Sequence, residues 1–258
     1  MKLPSTRLKE RLTAGTPSLG SFVQIGSPAI IEGLALAGFD FAIVDLEHGS
    51  LSPAAAMSLV PMADSHDMPL IARIPRGRLH ESDQLMDAGM RGLLVAQVGS
   101  VEDATPAVSA VKYPPLGNRG ACPGTHAARG GFIEWTDHVA KQNAQNLACI
   151  AIEGTAAISH ATDVLSVPGL DVVFIGIFDL AASMGLPGQP DHPEVRSEVS
   201  KLAKLGAQQN VAVGTWCPTV ENAIEWAAEG LSFLPVSIDA LLWAEAVRGT
   251  VDAWQASR

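Results

Sequence analysis

Eight apolar runs of strand length punctuate this chain, at residues 19–25, 41–46, 70–75, 92–98, 147–153, 172–177, 211–215 and 232–236, and helical patterns of ten or more residues follow most of them. This alternation is the pattern of right-handed βαβ units, whose parallel strands are covered on both faces and are apolar along nearly their whole length. Eight such strands close naturally into a barrel. A doubly wound sheet uses fewer strands and places a glycine-rich turn after the first, and no GxGxxG follows residues 19–25. With 258 residues, 47% of them hydrophobic, the chain has the length and apolar content of one barrel, so a single (β/α)8 TIM barrel over residues 1–258 is expected. The one long connection without a periodic pattern is 113–146, broken by Pro114-Pro115, Gly117, Gly120, Pro123-Gly124 and Gly130-Gly131. Connections this long are commonly functional.

A formal charge of -10 leaves no basic field for nucleic acid or anionic lipid, which points to small-molecule substrates and away from nucleic acid and membrane. The segment Met1 to Glu10 carries charge but no apolar h-region, and no later stretch is long and apolar enough to span a bilayer, so a cytoplasmic location is expected. Cys122, Cys149 and Cys217 are odd in number, far apart and without metal-ligand spacing, and read as reduced thiols. The last helical stretch, Ile238 to Val247, is apolar around more of its circumference than an outer barrel helix needs, which suggests a subunit contact.

A parallel strand buried on both faces admits a carboxylate only where it runs out at its C-terminal edge, and that edge is where barrel enzymes work. Residues 147–153 end in Glu153, and residues 172–177 lead through Phe178 into Asp179. Two lone acids so placed suit a hard cation such as Mg2+, Mn2+ or Co2+; the alternative is that each only caps the helix it precedes. The second run ends Val44-Asp45-Leu46-Glu47-His48-Gly49, with Asp45 and Glu47 on one face by the strand's period of two. Histidine is the usual general base at neutral pH, and Asp45 is a carboxylate that would fix the His48 tautomer, which makes the pair a candidate base; a plain turn histidine is the alternative. Arg73, embedded in Leu70-Ile71-Ala72-Arg73-Ile74-Pro75, needs an anion, either inside the barrel or in a surface salt bridge. Acids, one arginine and one histidine at the strand ends suit enolate formation, which needs a metal ion or a lysine imine to take up the negative charge. Lys2, Lys9, Lys112, Lys141, Lys201 and Lys204 all fall in helical or loop segments, which favours the metal.

The ordered motifs Gly38-Phe39-Asp40, Asp45-x-Glu47-His48, Arg73, Asp87-Ala88-Gly89, Lys112-Tyr113-Pro114-Pro115-Leu116-Gly117-x-Arg119-Gly120, Ile152-Glu153 and Phe174-Ile175-Gly176-x-x-Asp179-Leu180 through Gly185 span nearly the whole chain. Together they resemble the HpcH/HpaI aldolase family, class II pyruvate-dependent aldolases of the phosphoenolpyruvate/pyruvate barrel superfamily. The resemblance implies reversible aldol cleavage of a 4-hydroxy-2-oxo acid into pyruvate and an aldehyde. It further implies that Glu153 and Asp179 bind a divalent cation that chelates pyruvate, that Arg73 stabilises the enolate oxygen, and that His48, supported by Asp45, acts as general base. A homo-hexamer built as a trimer of dimers with an exchanged last helix is implied as well.

Several positions depart from the family pattern. Ala151 stands where the family commonly has glutamine, and Ile177 and Phe178 stand where small or polar residues usually precede the metal-binding aspartate. The pocket floor is therefore expected to be bulkier and more apolar, with backbone N–H groups of Phe178 and Asp179 still able to bind a carboxylate. Val95-Ala96-Gln97-Val98 replaces a proline-containing strand end, and Trp216-Cys217 follows the seventh run, so both reshape the acceptor side. Glu47, Arg119 and Trp216 are secondary site candidates. His126 is expected to face solvent, and Trp135, Trp226, Trp243 and Trp254, at helical spacing, to pack. Competing readings are a lyase on an acyl-CoA thioester or dicarboxylate, for which no basic cluster offers a nucleotide groove, and a non-catalytic barrel that binds a small acid. A sugar-phosphate isomerase would need a glycine-rich phosphate loop after the last two strands, and none is present.

Overall fold

The computed structural model describes residues 7–258; Met1 to Thr6, with Lys2, lie outside the described residues. Eight strands, β1 (Ser18–Val23), β2 (Phe41–Asp45), β3 (Leu70–Pro75), β4 (Gly92–Ala96), β5 (Leu147–Ile152), β6 (Val172–Ile175), β7 (Ala212–Thr215) and β8 (Phe233–Ile238), pair in chain order as a closed barrel. All pairings are parallel, including β8 on β1, and helices lie between successive strands: a (β/α)8 TIM barrel, as expected. The ladder stops one or two residues short of the apolar runs at β1, β2, β4, β5 and β6, where the last residues turn into the loops of the mouth, and β8 continues past residue 236 to Ile238.

Strand periodicity splits the apolar residues into two cores. Phe41 and Ile43, Ile71, Leu94, Leu147, Cys149 and Ala151, Val172 and Phe174, and Phe233 fill the lumen. The residues between them, such as Ala42, Val44, Ala72, Ile74, Ala148, Ile150, Ile152, Val173 and Ile175, pack under the helices. Within the lumen Phe41 stacks on Phe233 with ring centroids 4.3 Å apart, and Phe174 meets Phe22 edge-on at 5.9 Å. These rings need space across the ladder: a Cβ on Gly20 would run into the Phe41 ring. The helix Arg7–Thr13 sets Leu8 and Leu12 on the lumen core at the end where the strands begin. One step further along each inward series, at the other end, stand Asp45, Arg73 and Glu153.

The connection 113–146 is only half irregular. Residues Trp135–Gln145 form a helix whose buried positions are His138 and Gln142, an i, i+4 pair too polar to stand out in the sequence. The connection joins the helix Val101–Ser109 to the start of β5, so it lies at the end of the barrel opposite the mouth. This corrects the assignment of Arg119 as a site residue. Its buried guanidinium donates to Asp87 (2.9 Å) and Gln142 (3.2 Å) and lies 4.5 Å over the Tyr113 ring, pinning the loop to the body of the barrel. His126, half-exposed, pairs with Asp64. Trp226 is fully buried under Arg196 and Trp135 stacks on His138, but Trp243 and Trp254 are exposed, against the packing expected of them. With Val247 and Val251, on the same face by helical spacing, they form a ridge on the final helix Asp239–Ala256, of which only Asp239 is buried. Among the described residues no helix is long and apolar enough to cross a membrane.

Burial, reinforced by Arg119 and Arg91, pushes the His138 imidazole down to about 4, and its Nε2 sits 3.3 Å from the Tyr113 hydroxyl. The unfolded chain takes up this proton near pH 6.5 and the folded chain only near 4, so stability is lost as pH falls through that window. Thermal unfolding followed between pH 7.5 and 4 is expected to show that loss in the wild type and a flatter profile in His138→Gln; parallel profiles would remove His138 as its source.

Candidate active site

Asp45 and Arg73 are register partners on neighbouring strands and both point into the lumen at its open end. The Asp45 carboxylate is fully buried and accepts from Arg73 Nε (2.9 Å) and Nη2 (2.7 Å), from Gln24 Nε2 (2.8 Å), and from the backbone N–H groups of Glu47 (3.1 Å) and His48 (3.2 Å). Burial opposes its charge, but Arg73 and Gln24 outweigh burial and hold the acid below the usual carboxylate range. Arg73 is sandwiched further by the Phe22 ring, 4.5 Å from the guanidinium carbon, and its Nη1 has no protein acceptor among the described residues.

Asp45 therefore orients the arginine and not, as expected, the imidazole. The turn after β2 folds back so that the backbone of His48, and not its ring, meets the carboxylate. The acidic neighbour of the ring is Glu47, whose Oε2 lies 3.8 Å from His48 Nε2 and 3.7 Å from Arg73 Nε. Glu47 is almost wholly buried; Oε1 accepts from Gln97 Nε2 at 3.1 Å, whereas Oε2 is buried without a hydrogen bond.

Glu153 stands just past β5 and Asp179 in the first turn of the helix Ile177–Ser183. Neither acts as a cap: the capping positions are Gly154 and Gly176, and no side-chain cap bond forms at either helix. The Glu153 carboxyl is pushed up to about 7, first by burial and then by repulsion from Glu47 and Asp179, with Arg73 and the Gln97 backbone N–H opposing. Gly176 makes room for it, since a Cβ there would fall 2.7 Å from Glu153 Cγ.

Above these charges lies a cavity of about 300 Å3 lined by Phe22, His48, Arg73, Phe174, Phe178, Asp179 and Trp216 among others. The Phe178 and Trp216 rings meet at 5.6 Å, tilted by 55°, and Trp216 Nε1 donates to the Ser237 carbonyl oxygen at 3.2 Å. Thus His48, Arg73, Phe178, Asp179 and Trp216 share one cavity, while Asp45, Glu47 and Glu153 supply its buried acidic side. Ala151 sits below, in the lumen core. Sequence reasoning missed Gln24, which stands one residue past β1, and read Gln97 only as part of an altered strand end and not as a donor to Glu47. It missed Asp239 too, which accepts from the backbone N–H groups of Gln24 and Ile25 (both 2.9 Å) and so fixes Gln24 over Asp45.

Among the described residues no group of three or more His, Cys, Asp or Glu side chains is arranged to hold a metal. The residues present fit a cation that takes two protein carboxylates and completes its shell with smaller oxygen ligands, because Glu153 and Asp179 repel each other and have no cation dedicated to them.

A sequence model of the HpcH/HpaI aldolase/citrate lyase family matches residues 18–246. A hydroxypyruvate/pyruvate aldolase of Sagittula stellata is 34% identical, over 94% of this chain and 95% of its own length. A 4-hydroxy-2-oxovalerate aldolase of Rhodococcus jostii is 31% identical, over 95% of this chain and 94% of its own. Among solved structures, an HpcH/HpaI aldolase/citrate lyase family protein from Burkholderia cenocepacia superposes with a TM-score of 0.89 at 27% identity, covering 97% of this chain and all of that one.

Asp45→Asn leaves the Arg73 guanidinium buried without its counter-charge and is expected to lower unfolding stability by about 3–5 kcal/mol in urea titrations; a loss within 0.5 kcal/mol or so would deny the pair that role. For Glu153 the sign runs the other way. A carboxyl that ionises near 7 when folded and near 4.5 when unfolded costs stability as pH rises through that interval. With EDTA present, Glu153→Gln is expected to melt above wild type at pH 8 and level with it at pH 4, and Mg2+ to raise only the wild type; no difference at pH 8 would contradict the repulsion.

Proposed function

The chain belongs to the HpcH/HpaI aldolase/citrate lyase family, and from that membership we propose that it catalyses the metal-dependent, reversible aldol cleavage of 4-hydroxy-2-oxo acids into pyruvate and an aldehyde. The names of its relatives, hydroxypyruvate/pyruvate aldolase and 4-hydroxy-2-oxovalerate aldolase, support the reaction class. The observation that carries the reading is the meeting, at one barrel mouth, of two repelling carboxylates with an arginine that keeps one donor free.

Glu153 and Asp179 would hold a divalent cation, Mg2+, Mn2+ or Co2+, which when bound supplies positive charge against the negative charge that grows on the 2-oxo acid. Arg73 presents Nη1 to a substrate oxygen, and because Asp45 and Phe22 fix the guanidinium beforehand, little reorganisation accompanies charge development. His48 lines the cavity with an exposed ring and accepts the proton from the methyl carbon of pyruvate in the condensation direction. Glu47, beside the ring, offsets the imidazolium charge that results. The same reading assigns the exposed ridge Trp243, Val247, Val251 and Trp254 to contacts between copies of the chain in a homo-hexamer.

Exchange of the pyruvate methyl protons in D2O, followed by NMR, tests the reading without choosing an aldehyde. Exchange is expected with Mg2+ or Mn2+ and not with EDTA, and His48→Ala is expected to slow it by about a hundred- to ten-thousandfold while Mg2+ still binds. Absence of exchange with every metal would overturn the assignment of pyruvate.

A further inference from the structure

We propose that the acceptor side of this cavity is built for an uncharged aldehyde with an apolar, ring-sized tail and against an aldehyde that carries a carboxylate or phosphate. The inference rests on the aldol reading above. In the condensation the methyl carbon of pyruvate, having lost its proton, forms a carbon–carbon bond to the aldehyde carbon. The carbonyl π pair moves to the aldehyde oxygen, which takes up a proton equivalent to the one removed. Everything beyond the aldehyde carbon has to fit what remains of the cavity.

What remains is apolar and held in place. Phe178, Trp216, Ile238 and Leu241 line it together with Arg73. Trp216 is anchored by its indole N–H to the Ser237 carbonyl, so its ring is a fixed wall and not a mobile flap. Phe178 is 47% exposed and Leu241 44%, and both present apolar surface that a bound tail would remove from water.

The charges of the mouth point the same way. Asp45, Glu47, Glu153 and Asp179 stand against Arg73, whose Nε and Nη2 are already committed to Asp45. The two arginines that follow β3 are occupied as well, Arg76 with Asp103 and Arg78 with Glu81 and the Leu46 carbonyl. The positive charge at hand is needed for the 2-oxo acid itself. A second anion on the aldehyde would be desolvated against an aromatic wall with no uncommitted guanidinium or ammonium among the described residues to receive it.

The test compares kcat/KM of the Mg2+-loaded full chain for condensation of pyruvate with benzaldehyde and with 4-oxobutanoate. Benzaldehyde is expected to be favoured by about tenfold or more, the lower end of what one pocket contact discriminates. Trp216→Leu, which keeps the wall apolar but removes the ring, should lower the benzaldehyde value by about the same factor. Preference for 4-oxobutanoate alongside metal-dependent pyruvate exchange overturns this proposal and leaves the aldol reading standing. If exchange itself fails, the pocket is read by NMR-detected binding of the unreactive alcohols benzyl alcohol and 4-hydroxybutanoate: tighter benzyl alcohol binding, weakened in Trp216→Leu, supports the apolar assignment, and equal or reversed binding overturns it.

Discussion

The mouth of this barrel is organised by one buried ion pair. Asp45 and Arg73 face each other across adjacent strands, and moving both charges out of water is repaid only if every lone pair and donor finds a partner. Asp45 meets that condition with five hydrogen bonds, two from Arg73 and one each from Gln24, Glu47 and His48. These donors come from the residue after β1, from within β3 and from the turn after β2, so satisfying one carboxylate ties three neighbouring segments together. Asp239 extends the arrangement to the last helix by gripping the backbone at Gln24 and Ile25.

With Arg73 committed to Asp45, the remaining acids are left in excess. Glu153 and Asp179 repel each other, and one oxygen of Glu47 is buried without a hydrogen bond. A fold selected for stability alone gains nothing from such a cluster, since burial and repulsion of the Glu153 charge outweigh what Arg73 and the Gln97 N–H return. A strongly perturbed acid such as Glu153 beside a cleft marks a candidate functional site for that reason. The arrangement couples two demands, because the ion pair that stabilises the mouth also decides which donor of Arg73 is left for a substrate.

The strands were legible because burial on both faces writes them as apolar runs, and the lumen-facing set followed from period two carried to the strand ends. That rule reached Asp45, Arg73 and Glu153, which continue their strands inward. It failed where the backbone leaves the strand. The turn after β2 gives Asp45 to the backbone of His48 and gives the His48 ring to Glu47, an exchange that period two does not encode. Gln24 escaped notice, and Gln97 registered only as a change of shape, because a neutral side chain at a strand end carries no desolvation cost large enough to demand a partner. Arg119 shows the limit of motif matching. Its motif is intact, yet its place in chain order, after a helix and before β5, puts it at the end of the barrel where strands begin. The helix Trp135–Gln145 was hidden because its inward positions, His138 and Gln142, are polar and pay for burial through Tyr113 and Arg119.

The segment Gly176-Ile177-Phe178-Asp179 divides its labour residue by residue. Glu153 occupies the space that a side chain at 176 would fill, so the position of the acid depends on what β6 lacks at that point. Asp179 then brings its charge in from the first turn of the following helix. Ile177 is buried in the layer under the helices, whereas Phe178 turns outward to meet Trp216 over the cavity. Bulk at 178 therefore reshapes the space available to a substrate without entering the space that seats the acid. A substitution at 176 acts in the opposite way, pressing directly on Glu153 and leaving the aromatic wall in place. Charge placement and pocket shape are thus set by different residues only two positions apart, which is how a barrel mouth can change what it admits while keeping the electrostatics that its chemistry needs.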